Sequence, residues 1–221
     1  MVTNRKTAAI TLPARDRAGR ERAVLDAIGR IILRDGLSGV GVNALAREAG
    51  VDKVLIYRYF GDLDGVYAAF AERGDFWWTV DEILGDPRPD PKAMTHAELL
   101  KCVLRRHGEG IRKRPVTLAV IAAEPANRTA LVVALEEVRE RRSLELAAWI
   151  SERYPAPEGV DVTAIGMIAG AAIDYLAGRA RNIRVYGGIE IKTDKNWERI
   201  YSAIDQMIDG MFPPSTRKAR R

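Results

Sequence analysis

Lys53, Tyr57, Arg58 and Tyr59 crowd into the short stretch DKVLIYRYF, interleaved with Val54, Leu55, Ile56 and Phe60. Ammonium, guanidinium and phenol groups are the usual donors to phosphate oxygens. Val54 and Leu55, if outward, would suit thymine methyls. The chemistry on offer is recognition of a polyanion rather than bond making.

Catalysis is poorly supplied. The chain has two histidines and one cysteine, and contains no HExxH, Walker or nucleophile-elbow pattern. Glu136 and Glu137 read most simply as solvated charges on a helix. The ligand set of a structural zinc is missing, and no cofactor is expected. Cys102 has no second cysteine to pair with, which suits a packed thiol in a reducing cytoplasm. No apolar stretch follows Met1, which argues against a secretory signal. The longest apolar run, near Ala164–Ile173, is too short to span a bilayer, so no membrane partner is expected.

The positive charge is localised. Residues 1–60 hold eleven Lys/Arg against six Asp/Glu, a net +5. The tail from Pro213 adds four basic residues and no acid, while residues 61–212 are net −4, with 20 basic and 24 acidic side chains. Clustered cations suit a polyanion because each neutralised phosphate releases counterions. For the tail alone, a solubilising charge run explains the pattern better.

The elements that must position the basic stretch follow from periodicity and punctuation. Residues 1–14 are polar and aperiodic and read as a disordered arm. From Arg15, Val24, Ile28, Ile31 and Ile32 form one helical stripe that Gly36 stops. Val42, Leu45, Ala46 and Ala49 repeat the spacing, and Gly50 breaks it at a tight turn. Asp52 caps the next helix, whose Ile56 and Phe60 point inward. Residues 41–60 are thus a helix pair of the size that fits a major groove. Asp62 caps a fourth helix expected to run from Leu63 to about Leu84, with Gly74 as a bend. Beyond the proline-rich loop 85–91, helices are expected over roughly 94–113, 115–123, 126–154, 160–184 and 195–212, with 187–194 a loop or short extended piece.

The stretch LAREAGVDKVLIYRYF, with an amphipathic helix before it and a capped helix after it, resembles the TetR family of bacterial transcriptional regulators. The resemblance covers about residues 17–70 in detail and the remainder in architecture alone. It implies an all-α fold: a DNA-binding domain over 15–62, an effector-binding and dimerisation domain over 63–212, and a basic tail over 213–221. It further implies a homodimeric repressor, released from a palindromic double-stranded operator by a small molecule, with dimerisation through helices 160–184 and 195–212. By position, Asn43, Lys53, Val54, Leu55, Tyr57 and Tyr59 match the DNA-facing residues. Leu45, Ala46, Ala49, Val51, Ile56 and Phe60 match the core, and Arg15, Arg17 and Arg20 resemble a backbone-binding arm. Three positions depart from the family pattern. Gly41 replaces a capping threonine, Val54-Leu55 replaces a glycine–threonine pair, and Leu63 replaces a lysine.

The C-terminal region is less specific. Trp77, Trp78, His107, Trp149 and Tyr175, with Phe76 and Tyr154, are candidates for an effector pocket, and plain core is the competing reading. The small residues of IGMIAGAA (165–172) allow close helix approach and fit a dimer seam. An enzyme is the competing class and an all-helical adaptor that never meets DNA a third, and salt-dependent duplex binding separates these.

Overall fold

The computed structural model describes residues 14–73 and 76–212, with side chains from Arg17 onward. The arm preceding Ala14 and the tail 213–221 lie outside the described residues. The all-α expectation holds: among the described residues there are ten α-helices and one two-stranded hairpin. The chain divides after Ala69 into two compact units.

The first unit is built on α1 (Ala14–Asp35). Its stripe of Val24, Ala27, Ile28, Ile31 and Ile32 is buried, at the spacing of one helical face. Gly36, at φ 77°, ends it in a conformation that disfavours side chains. A short 3-10 turn leads to α2 (Val42–Ala49), which packs along α1 through buried Leu45 and Ala46. Gly50 takes the left-handed conformation at φ 65°, and the Val51 amide closes onto the Ala46 carbonyl at 3.0 Å. α3 (Lys53–Phe60) starts at once, because the Asp52 carboxylate accepts from the Val54 amide at 2.8 Å. Glu48 on α2 then ties the unit to α1, meeting Arg30 Nε and Arg34 Nη1 at 2.8 Å each. α4 (Leu63–Ala71) begins where Asp62 Oδ1 accepts from the Gly65 amide at 2.7 Å, and the Tyr67 hydroxyl donates to the Val40 carbonyl at 3.3 Å.

The second unit holds α5 (Val80–Leu84), α6 (His96–Arg112), α7 (Pro115–Ala123), α8 (Ala130–Arg153), α9 (Val162–Arg179) and α10 (Asp194–Met211). α6 packs against α5, α7, α9 and α10. Thr79 with Glu82, and Thr95 with Glu98, form reciprocal capping boxes at the starts of α5 and α6. Between α9 and α10, β1 (Val185–Tyr186) pairs with β2 (Ile189–Glu190) across Gly187-Gly188, both at positive φ. No single helix among the described residues is long and apolar enough to cross a membrane.

One expected element is corrected. The helix expected over 63–84 is two helices, because α4 ends at Ala71 and α5 begins at Val80. Phe76, Trp77 and Trp78 are all buried. Three consecutive residues are spread over most of a helical turn and cannot share one inward face, so the chain leaves the helix to bury them. The first compact unit correspondingly takes in most of α4, beyond the boundary expected at residue 62.

Asp52→Ala removes the side-chain cap of α3 and is expected to lower stability by about 1 kcal/mol in denaturant melts. The Arg30 and Arg34 hydrogen bonds hold the Glu48 carboxyl below its ordinary pKa of 4.5. A lowered folded-state pKa gives stability that is present above the unfolded value and is lost on acidification. Glu48→Gln should therefore melt lower than wild type at pH 7, with the gap closing as the pH falls below about 4.

Candidate nucleic-acid interface

α3 is short and two-faced. Ile56 is fully buried, and Phe60 and Leu55 are half-buried. Lys53, Val54, Tyr57 and Arg58 are exposed, Val54 at 68% and Tyr57 at 47%. Lys53 opens the helix, where first-turn amides and the helix dipole favour an anion. On α2, Asn43 is exposed in the first turn. Gly50 and the Asp52 cap fix the junction between the two helices, so this surface is held by backbone geometry rather than by a mobile loop.

Tyr59 departs from its expected role. Its ring is half-buried, and its hydroxyl is buried with no hydrogen-bond partner in the structure. Three residues after buried Ile56, it returns towards the inner face of α3. The ring serves as a platform for cations instead. The Arg17 guanidinium lies 5.3 Å from its centroid and that of Arg58 lies 5.7 Å away. Arg17 is also hydrogen-bonded to Glu21 at 2.7 Å, which raises its already high pKa and keeps it charged. Arg20 is half-buried and engaged in a contact. The Arg15 side chain lies outside the described residues.

Residues 24–70 match the family model for bacterial regulatory proteins of the tetR family. The match spans the helix pair and parts of the helices on either side of it. No curated protein matches the sequence. Among solved structures, a TetR-like transcriptional regulator from Rhodococcus sp. RHA1 is similar at 23% identity and TM-score 0.57, covering 90% of this chain and 100% of that one. The regulator FadR from Bacillus subtilis, in complex with stearoyl-CoA, is similar at 17% identity and TM-score 0.60, covering 87% and 99%. AibR, in complex with isovaleryl coenzyme A and operator DNA, is similar at 14% identity and TM-score 0.53, covering 89% and 100%. At these identities the likeness is one of fold, and it extends over both units.

Within the TetR-type helix pair, the three departures have visible consequences. Gly41 caps α2 without a side-chain hydrogen bond. Val54 projects from α3, and Leu63 is half-buried at the start of α4.

The effector candidates do not all converge. Trp77 and Trp78 stack at 4.6 Å, and the His107 ring meets them edge-on at 5.6 and 4.7 Å. His107 Nε2 is hydrogen-bonded to Asp174 Oδ1 at 2.7 Å, a partner on α9 that the sequence reading missed. Thr117 Oγ1 donates to the Phe76 carbonyl at 2.7 Å. Buried Arg142 donates to the carbonyls of Glu72, at 3.0 Å, and Trp77, holding the segment after α4. Trp149 lies apart, against Tyr154 and between Arg88 and Arg153. Tyr175 is exposed and meets Tyr186 of the hairpin at 5.6 Å. An open groove of about 830 Å³ runs along α8 past Val133, Glu137, Leu144 and Ala148, and none of the five candidates lines it.

The buried hydroxyl of Tyr59 makes no hydrogen bond, so Tyr59→Phe should leave thermal stability within about 0.5 kcal/mol of wild type, or raise it. Tyr59→Ala removes the platform and should cost roughly 1–3 kcal/mol. A destabilised Phe variant would show that the hydroxyl has a partner.

Proposed function

We propose that this protein is a transcriptional regulator of the TetR family, a homodimeric repressor that a small molecule releases from a palindromic operator. The observation that carries this reading is the outward face of α3: Lys53, Val54, Tyr57 and Arg58 exposed together on a capped helix of the TetR type. Two such helices in successive major grooves would read two half-sites about one helical turn apart. Residues 15–62 would serve as the DNA-binding domain and residues 63–212 as the effector and dimerisation domain. Acting on bacterial DNA, the protein would work in the cytoplasm, and we read it as a regulator rather than an enzyme.

Self-association is supported by the outer faces of the last two helices. Met167, Ile168 and Tyr175 on α9, and Met207 and Met211 on α10, are exposed large apolar side chains. Exposed apolar side chains of this size on the last two helices suit a two-fold interface.

For the effector, the Trp77, Trp78 and His107 cluster with Asp174 is the first location to test, because it brings three of the five candidates together. FadR and AibR are named with bound acyl thioesters, so acyl-coenzyme A compounds are the first class to try. An effector can shift DNA affinity only by its own difference in affinity for the two states.

Selection of duplexes from a randomised library, followed by binding measurements across salt concentrations, tests the central reading. Affinity should fall steeply with added salt. Tyr57→Ala should weaken the selected duplex by about 1–3 kcal/mol at fixed salt. Failure to enrich any duplex would sink the proposal. In sedimentation, Ile168→Asp should convert the dimer to monomer, and a dimer that survives this change must use another face.

A further inference from the structure

We propose that Val54 is a specificity determinant that reads the C5 methyl group of one thymine in each operator half-site. The inference rests on the DNA-binding reading and names what one residue of that surface recognises. Val54 is the most exposed of the large apolar side chains among the described residues, at 68%. It is the second residue of α3, and the N-terminal residues of a recognition helix are those that reach base edges. Its backbone amide already donates to Asp52 Oδ1 at 2.8 Å. Neither its side chain nor its amide therefore offers a donor to phosphate or base.

Elimination identifies the target. A β-branched side chain in a helix holds one dominant χ1 rotamer, so the two methyl groups of Val54 project to a fixed place. Its neighbours Lys53 and Tyr57 are exposed and carry the polar donors on either side. At the floor of a major groove the apolar feature of a base pair is the thymine methyl. Opposite guanine O6 and N7, or cytosine N4, Val54 would displace water and leave those groups without partners, which is unfavourable. Val54 thus selects by apolar contact at a position that has no hydroxyl or side-chain amide of its own to select by hydrogen bonding. Leu55 is half-buried and less available for the same task.

The experiment uses the full-length protein and the duplex selected from the randomised library. Each thymine is replaced in turn, in both half-sites, by deoxyuridine, which removes the methyl and keeps every hydrogen-bonding group. One symmetry-related pair should show a loss of roughly three- to fivefold per methyl removed. Val54→Ala should bind the thymine duplex more weakly and should be indifferent to uracil at that pair. Alanine at an exposed helical position favours the helix, so the variant is expected to fold. A Val54→Ala protein that keeps the full uracil penalty, or a duplex with no sensitive pair, overturns the proposal and leaves the DNA-binding reading standing. A wild-type protein that enriches no duplex removes both.

Discussion

The junction at Gly50 is the constraint on which the N-terminal unit depends. A left-handed residue lets the chain leave α2 and re-enter a helix after only two further residues, and a side chain there would be strained. The crossing of α2 and α3 follows from that turn. The burial of Leu45 and Ile56 follows from the crossing, and the outward aim of Lys53, Val54 and Tyr57 follows from that burial. A unit of this size has little core to spare. The Asp52 cap and the Glu48 bridges to Arg30 and Arg34 supplement it on either side of the Gly50 turn.

Most of the N-terminal unit was legible because its signals are local. Gly36, Gly50, Asp52 and Asp62 each act within a few residues, through φ or a side-chain cap, and each does what its type suggests. The later helices were legible for the same reason, with breaks at Pro125 and the 154–159 stretch. The break after Ala71 was legible only as a bend at Gly74. After the polar stretch 72–75 the apolar pattern resumes at Phe76, and the demand to bury Phe76, Trp77 and Trp78 together shows that one helix cannot hold them all.

The candidate site divides along the same line. The exposure of Lys53, Val54 and Tyr57 follows from their spacing around Ile56. The turn of Tyr59 towards Arg17 does not, because it depends on α1 lying alongside α3. Asp174 and His107 are 67 residues apart, and nothing in the sequence links them. Arg142 offers a similar lesson: a charged residue on a helix reads as solvated, yet here its guanidinium is buried among main-chain carbonyls that α4 and its exit leave open.

The Tyr59 platform has a consequence for the entropy of association. An arginine free in solvent loses about 2 kcal/mol of rotamer freedom when it is fixed on a partner. Here one ring restrains two guanidiniums, from α1 and from α3, while the protein is still alone. Exposed contacts of this kind are worth about 0.5–1 kcal/mol, so part of that ordering is completed during folding, and a polyanion meeting this surface has less of it left to impose.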